Sequence, residues 1–307
     1  MLKPRALRSG DRVAVVAPAS PFIRQEFDDD LAELTRLGSD PVYDESVFAA
    51  DRYVAGTPEV RAAAIRAARD DPSVAGLIGV RGGYGSIQLL PLLDREAARR
   101  SRKPFIGYSD LTSLLTFLTT GSDVVAFHGP MLAGRLSRRE AGYHRESLLN
   151  AVCRATPMGE LAPSGLEVVV RGDMSGPLLG GTISQIVASL GTPFAFNPPE
   201  RYVLFFEEVR ERPFRLDRMI AQLRQSGLLA RAAAVVVGEL PECDEPSGSL
   251  QGRAVVADLL RDFPGPVVMG FPSGHTTGPA WTLPLGVTCR VVADASPRLV
   301  IEEAAVE

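Results

Sequence analysis

The sequence predicts an α/β fold in which a parallel sheet is covered by helices on both faces. Short apolar runs rich in β-branched residues alternate with longer helical segments, as in strands that are buried on both sides. The predicted strands of the first half are residues 13–17, 74–80, 104–108 and 124–127, and the predicted helices are 21–37, 58–69, 86–100 and 111–118. This alternation predicts a Rossmann-like or flavodoxin-like sheet for the N-terminal half.

A break in this pattern divides the chain. Between residues 149 and 172 the alternation loosens, and proline, glycine and serine accumulate, which is typical of a domain boundary. With the boundary near residues 155–165, the sequence predicts an N-terminal domain over 1–158 and a smaller C-terminal α/β domain over 166–307. The second domain has predicted strands at 167–170, 202–206, 232–237 and 267–271, predicted helices at 214–225 and 252–260, and an antiparallel segment at 283–301.

The composition excludes several classes of protein. Among 307 residues, 33 Lys and Arg stand against 37 Asp and Glu, and the net charge of −4 offers no broad basic surface for nucleic acid. The three cysteines are far apart, which argues against a disulfide framework and a cysteine zinc site. Three scattered histidines without an HExxH motif supply no ligand set, so neither a metal nor another cofactor is expected.

The N-terminal segment does not read as a secretion signal. Basic residues precede the apolar run 13–17, but this run is too short for the apolar core of a signal peptide, and Pro18 ends it. No other segment approaches the ~20 uninterrupted apolar residues that a membrane helix needs. The protein is therefore expected in the cytoplasm, without a membrane partner.

Ser109 is a candidate nucleophile because it stands between a strand and a helix. The strand over 104–108 ends just before it, and the next helix begins at Asp110 or Leu111. Ligands of open α/β sheets bind beyond the carboxyl ends of the strands, where the first amides of a helix favour negative charge. The alternative is that Ser109 is only a helix cap. The segment also lacks the GxSxG form, because Leu111 stands where the second glycine belongs.

A glycine-rich loop at residues 81–85 (Arg-Gly-Gly-Tyr-Gly) follows the strand over 74–80. Its glycines allow the backbone to approach a ligand closely. Such a loop forms either a phosphate cradle or an oxyanion hole of backbone N–H groups. The dinucleotide fingerprint fits poorly, because Gln88 occupies the position of its third glycine. A tight turn without a binding role is the remaining alternative.

A serine nucleophile needs a base. His144 lies in a charged stretch and is expected at the surface. His128 and His275 each follow a predicted strand and stand beside glycine, so either one is a candidate base or a structural histidine.

The base in turn needs an orienting acid. Glu207 and Glu208 end the strand over 202–206, and strand alternation sends their side chains to opposite sides, so one can point inward while the other is solvated. Glu239 follows the strand over 232–237 and is a candidate by the same argument. The spacing alone does not choose among the three.

Taken together, these segments resemble the LD-carboxypeptidase family of serine peptidases, which includes the microcin C self-immunity peptidases. The resemblance extends over nearly the whole chain and rests on the order and spacing of motifs that are individually weak. The motifs are residues 10–18 (GDRVAVVAP), 55–58 (AGTP), 81–85 (RGGYG), 107–110 (GYSD), 128–131 (HGPM), 180–181 (GG), 204–208 (LFFEE), 217–218 (DR), 272–275 (PSGH) and 283–286 (LPLG).

The resemblance implies a Ser–His–Glu triad with Ser109 as the nucleophile, His275 as the base and Glu207 as the orienting acid. It implies an oxyanion hole built from the backbone N–H groups of Gly83 and Asp110, with Gly82 as a further binding residue of the same loop. The triad would span both domains, because the serine lies in the first domain and the other two residues lie in the second.

The resemblance also implies the fold, the substrate and the assembly. It implies a second domain of the swivelling β/α type, a homodimer, and hydrolysis of the amide bond between an L-centre and the terminal D-alanine of a murein tetrapeptide, in cell-wall recycling. Arg81 and Arg218 are candidates for binding the terminal carboxylate, and Tyr84 and Trp281 are candidates for other substrate contacts. Structural ion pairs for the arginines and a core position for Trp281 are the alternatives.

Other functions stay open at this point. Within the same fold, the alternative is a microcin-immunity-type amidase that cleaves a peptidyl or aminoacyl nucleotide conjugate. Alternatives of other classes are a non-enzymatic nucleotide-binding protein and a regulatory module with a vestigial triad. The chain departs from the family pattern at Thr182, where Asn is common, and at Glu208, where Asp is common. These departures bear on the substrate.

Overall fold

A computed structural model describes residues 1–24 and 27–307. Its strands are β1 (Arg12–Val16), β2 (Asp40–Val42), β3 (Val74–Gly79), β4 (Phe105–Gly107), β5 (Ala126–His128), β6 (Gly159–Leu161), β7 (Glu167–Val170), β8 (Gly172–Thr182), β9 (Tyr202–Glu207), β10 (Ala232–Gly238), β11 (Val267–Phe271), β12 (Leu283–Leu285), β13 (Thr288–Ala293) and β14 (Arg298–Ile301). Its α-helices are α1 (Phe27–Arg36), α2 (Pro58–Asp70), α3 (Arg95–Ser101), α4 (Thr112–Thr116), α5 (Arg145–Cys153), α6 (Ile183–Ser189), α7 (Pro213–Gln225), α8 (Leu228–Arg231) and α9 (Gly252–Leu260). Shorter 3₁₀ and π segments are Glu45–Phe48, Ser86–Leu92, Ser109–Leu111, Phe117–Gly121, Leu132–Leu136 and Arg139–Ala141.

The first sheet confirms the predicted fold class. Its order is β12-β5-β4-β3-β1-β2, and the five strands from the first half of the chain are all parallel. The order 2-1-3-4-5 is that of flavodoxin-like sheets, whose ligands bind at the carboxyl ends of the strands. At the edge of this sheet, β12 from the second half pairs antiparallel with β5. The domain limits at 158 and 166 stay predictions.

The second sheet has a parallel centre and antiparallel flanks. Its order is β6-β14-β13-β8-β9-β10-β11-β7, in which β8 to β11 run parallel. The pairs β13–β14 and β12–β5 are antiparallel, which confirms the prediction for residues 283–301. Among the described residues, no helix combines the length and apolarity that crossing a membrane requires.

Alternation along β9 connects the fold to the site. Val203 and Phe205 are buried in an apolar core that they share with the first sheet, whereas Leu204 and Phe206 belong to a second core beneath α7 and α9. Because successive side chains of a strand point to opposite faces, the next residue, Glu207, faces the first half of the chain. The two halves therefore meet where β9 ends.

Two helix predictions need correction. The predicted helix over 21–37 includes residues 25 and 26, which lie outside the described residues, and residues 21–23 are not helical. The predicted helix over 86–100 is interrupted, because Pro91 falls in a 3₁₀ segment and the Asp94 carboxylate caps a new helix, α3, by accepting the N–H groups of Glu96 and Ala97.

Candidate active site

Ser109 occupies a strained turn at the carboxyl end of β4. Its φ of 62° lies in the left-handed region, which costs a non-glycine residue about 1 to 3 kcal/mol and is typical of functional sites. The cap position of the 3₁₀ segment that follows is Tyr108, and Ser109 Oγ has no hydrogen-bond partner among the described residues. The alternative that Ser109 serves only as a helix cap is therefore wrong.

The glycine loop lies directly against this serine. A Cβ atom at Gly82 would stand 2.8 Å from Ser109 Cβ and 2.9 Å from Ser109 Oγ, so only glycine fits there. The next residue, Gly83, has a φ of 101°. Within the described chain, no intramolecular acceptor takes the backbone N–H of Gly83 or of Asp110, which stands in the first turn of the 3₁₀ segment. Both N–H groups are thus available beside the serine.

Buried polar groups hold the glycine loop in this position. The Asp110 carboxylate accepts the backbone N–H of Ser86 at 2.8 Å, and Ser86 Oγ donates to the Asp110 carbonyl at 2.5 Å. Arg61 donates to the carbonyls of Pro18 and Gly85 at 2.7 and 2.8 Å. Burial raises the pKa of Asp110 above its ordinary value. The loop and the serine turn therefore form one hydrogen-bonded unit.

Glu207 and His275 form the second part of the site. Glu207 is fully buried, and its Oε2 accepts the backbone N–H of His275 at 2.9 Å and faces His275 Nδ1 at 2.7 Å. Its Oε1 accepts a hydrogen bond from Thr182 Oγ1 at 2.5 Å. Burial favours a higher pKa for Glu207, but the charge and hydrogen bond of His275 outweigh it and hold the pKa below its ordinary value. Thr182, a departure from the family pattern, thus contacts the carboxylate directly.

The imidazole of His275 lies next to the serine turn without bonding to the serine. Its ring packs edge-on against the ring of Tyr108, with 5.1 Å between centroids, and Tyr108 directly precedes Ser109. No hydrogen bond joins His275 to Ser109 Oγ among the described residues. Catalytic hydrogen bonds are often long without substrate and tighten when it binds. In the structure, Glu207 is therefore hydrogen-bonded to His275, whereas a hydrogen bond between His275 and Ser109 would have to form when substrate binds.

His128, the other candidate base, lies behind the acid. It is fully buried, its Nδ1 is 2.9 Å from Ser273 Oγ, and its Nε2 is 3.9 Å from Glu207 Oε1. Burial lowers the pKa of His128 to about 4, so the ring is neutral. The side chain of His275 is 20% exposed whereas that of His128 is 0% exposed, and only His275 is accessible to a substrate.

The two other candidate acids have different partners. Glu239 accepts hydrogen bonds from Thr276 and Thr277, just after His275, and so supports the loop rather than the imidazole. The side chain of Glu208 points away from Glu207, as predicted, but the expected solvation is wrong. Glu208 is 4% exposed and accepts the N–H of Ser184 in the first turn of α6, and burial raises its pKa to about 7.

The predicted substrate-binding side chains have other partners in the structure, and their binding role stays a prediction. Arg81 is exposed and donates to the carbonyl of Pro21, and Arg218 is exposed on α7 without an ion pair among the described residues. Tyr84 is 45% exposed and packs against Tyr53, another exposed tyrosine.

Trp281 is half-buried, and one face of its ring is already covered. The ring of His144 stacks on it at 4.0 Å between centroids, nearly parallel, and Phe271 contacts its edge. The core alternative describes Trp281 better than the binding prediction. His144, which was expected at the surface, is half-buried and caps α5 through Nδ1.

Known proteins with similar sequences and structures define the family. The LD-carboxypeptidase N-terminal domain matches residues 13–129, and the LD-carboxypeptidase C-terminal domain matches residues 175–291. A Streptomyces coelicolor protein, SCO6489, is 37% identical over 96% of this chain and 94% of its own length. The murein tetrapeptide carboxypeptidase of Pseudomonas aeruginosa is 30% identical over 86% of this chain and 88% of its own length.

A solved structure supports the fold. The microcin C7 self-immunity protein MccF, in complex with aspartyl sulfamoyl adenosine, superposes with a TM-score of 0.88 at 22% identity, and the match covers all of both chains. The similar sequences, the shared fold and the two matched domains agree with one another. The chain therefore belongs to the LD-carboxypeptidase family and is a serine-type carboxypeptidase, a hydrolase.

Proposed function

We propose that this chain hydrolyses an L-to-D amide bond through a triad of Ser109, His275 and Glu207. The observation that carries the proposal is the double contact of the buried Glu207 carboxylate with the backbone N–H and Nδ1 of His275, beside the strained Ser109 turn. A buried carboxylate on one imidazole nitrogen leaves the other nitrogen free to act as a base. The non-enzymatic alternatives leave this arrangement without a purpose.

The proposed reaction follows from the positions of these groups. His275 Nδ1–H donates to Glu207, so the Nε2 lone pair accepts the Ser109 proton as Oγ attacks the scissile carbonyl. The N–H groups of Gly83 and Asp110 stabilise the oxyanion. His275 then protonates the leaving amine, and water hydrolyses the acyl-enzyme by the same route.

The protonation state of the base sets the pH dependence. Burial favours a lower pKa for His275, but the charge and hydrogen bond of Glu207 outweigh it, so the pKa lies above the ordinary 6.5. A base must be unprotonated, so kcat/KM falls as pH decreases through this pKa. The limb of the pH profile should therefore lie above pH 6.5 in the wild type.

We propose a murein tetrapeptide as the substrate and D-alanine as the leaving group. The support is the 30% identity to a protein named for that activity. MccF, which is similar in fold, was solved with aspartyl sulfamoyl adenosine bound, so aminoacyl sulfamoyl nucleotides are the competing substrate class. The proposal also includes a cytoplasmic location, which rests on the sequence, and a homodimer that acts in cell-wall recycling, which rests on the family resemblance.

The test compares the two substrate classes with the same enzyme. D-alanine release from murein tetrapeptide and hydrolysis of aspartyl sulfamoyl adenosine are measured with the wild type and with Ser109→Ala. We expect the tetrapeptide to have the higher kcat/KM and the variant to lose its turnover. Faster cleavage of the nucleotide conjugate would contradict the proposed substrate. D-alanine release by Ser109→Ala at the wild-type rate would contradict the proposed nucleophile.

A further inference from the structure

Arg135 is a buried arginine whose donors all point at neutral oxygens. It is 7% exposed and lies in the segment Leu132–Leu136, which follows β5 in the first half of the chain. Its Nε and two Nη atoms donate to the carbonyls of Gly142, Gly274, Thr276 and Gly278 and to the hydroxyl of Tyr108, at 2.9 to 3.4 Å. Among the described residues, no carboxylate pairs with this guanidinium, which is unusual for a buried charge.

The acceptors of Arg135 surround the proposed base. Nη2 donates to the carbonyl of Gly274 at 3.0 Å and to that of Thr276 at 2.9 Å, the residues on either side of His275. Nε donates to the hydroxyl of Tyr108, whose ring packs against the imidazole of His275. One side chain of the first half therefore binds the loop that carries His275 and the aromatic ring that touches it.

We propose that Arg135 is a positioning residue that fixes the His275 loop of the second half against the Ser109 turn of the first half. The inference rests on the proposed function in so far as His275 is the base. Five fixed donors suit this role better than the three donors of lysine, because a planar guanidinium binds several carbonyls with a defined geometry. A small displacement of a catalytic group costs rate on the order of 10²-fold.

The charge of Arg135 also acts on the base. Burial disfavours the protonated form of His275, and Glu207 and Glu208 favour it more strongly, so the pKa is raised. The positive charge of Arg135 acts against this rise. The other titratable neighbours are His128, which is neutral, and Tyr108, which contacts the ring. Removing the positive charge should therefore raise the pKa of His275, whereas moving the charge slightly should leave the pKa nearly unchanged.

The experiment separates geometry from charge with two substitutions. Arg135→Met removes both the donors and the charge, and Arg135→Lys keeps the charge with fewer donors. The titration of His275 is followed by NMR of 15N-labelled histidine, and kcat and KM are measured for D-alanine release. With only three histidines in the chain, His128→Gln and His144→Gln assign the signals. Folding is checked by circular dichroism.

A matched control removes a different arginine that binds a backbone carbonyl. Arg231 donates to the carbonyl of Pro198 at 2.6 Å, at the amino ends of β9 and β10, away from the site. We expect Arg135→Met to lower kcat by about 10- to 100-fold with little change in KM, and to move the His275 titration to higher pH. Arg135→Lys should lower kcat with the titration unchanged, and Arg231→Met should change neither.

Two results would overturn the inference. One is an Arg135→Met protein whose kcat and His275 titration match those of Arg231→Met. The other, which decides the matter if Arg135→Met does not fold, is an Arg135→Lys protein with the wild-type kcat. Failure of the proposed function is distinguishable, because it would appear as activity that survives Ser109→Ala, while the NMR titration still reports the coupling of Arg135 to His275.

Discussion

The stability of the protein should depend on pH through His128, the buried histidine behind Glu207. Burial lowers its pKa from the ordinary 6.5 to about 4, with His275 adding to the effect and Glu207 opposing it. In the unfolded chain His128 takes up a proton below pH 6.5, but in the folded protein it stays neutral until about pH 4. The unfolded state therefore binds more protons in this window, and folding stability falls as pH decreases.

The structure sets the size of this effect. Lowering the pKa from 6.5 to about 4 corresponds to a loss of about 3 kcal/mol of folding free energy when the pH falls from 7 to 4. His128→Gln removes the titration and keeps hydrogen-bonding capacity toward Ser273 Oγ. Against the wild type, the variant should lose about 3 kcal/mol less over the same interval, whatever its stability at neutral pH.

Urea denaturation at a series of pH values between 7 and 4 measures this difference. His144→Gln is the control, because His144 is only half-buried and burial lowers its pKa less strongly. We expect His144→Gln to change the dependence of the free energy of unfolding on pH less than His128→Gln does. Parallel stability curves for the wild type and His128→Gln would refute the assignment of His128 as a neutral buried histidine.

Three further substitutions test the site. Glu207→Gln should lower kcat by about 10³- to 10⁴-fold with little change in KM. The amide NH₂ of the new side chain would face either Thr182 or His275 Nδ1, both of which donate to the carboxylate, and this would disfavour the productive tautomer of His275. A loss below tenfold in steady-state D-alanine release would contradict this prediction. Gly82→Ala should lower kcat while circular dichroism stays native, since its Cβ would stand 2.8 Å from Ser109 Cβ, and unchanged turnover would show that the loop does not approach the serine so closely. Glu239→Gln should lower kcat less than Glu207→Gln, because Glu239 only supports the loop after His275, and an equal loss would make Glu239 a functional acid.

Local sequence patterns predicted the fold and part of the site. Apolar runs separated by helical segments predicted the parallel sheet, and the alternation at the end of β9 predicted that Glu207 and Glu208 point to opposite sides. Ser109 and His275 also lie just beyond strand ends, as predicted, Ser109 after β4 of the first sheet and His275 after β11 of the second. Strand and helix patterns and side-chain alternation depend on neighbouring residues of the chain, so they can be predicted without knowing the tertiary contacts.

Contacts between distant segments could not be predicted in the same way. The burial of Glu208 depends on α6, which follows a different strand, and the solvation expected from alternation alone was wrong. The choice between His128 and His275 depends on their burial in the folded protein, because His128 is fully buried where the two halves meet and His275 stays partly exposed. Arg135 carried no signal in the sequence, because its acceptors are backbone carbonyls from two separate segments and the hydroxyl of Tyr108 from a third.

The central claim is that Ser109 and His275 act as one catalytic unit across the two halves of the chain. D-alanine release from murein tetrapeptide, measured for Ser109→Ala, His275→Ala and the double variant, tests it most directly. Each single variant should lose about 10⁴- to 10⁶-fold in kcat, and the double variant should lose no more than the slower single one. Losses that multiply, or turnover that persists in Ser109→Ala, would contradict the claim.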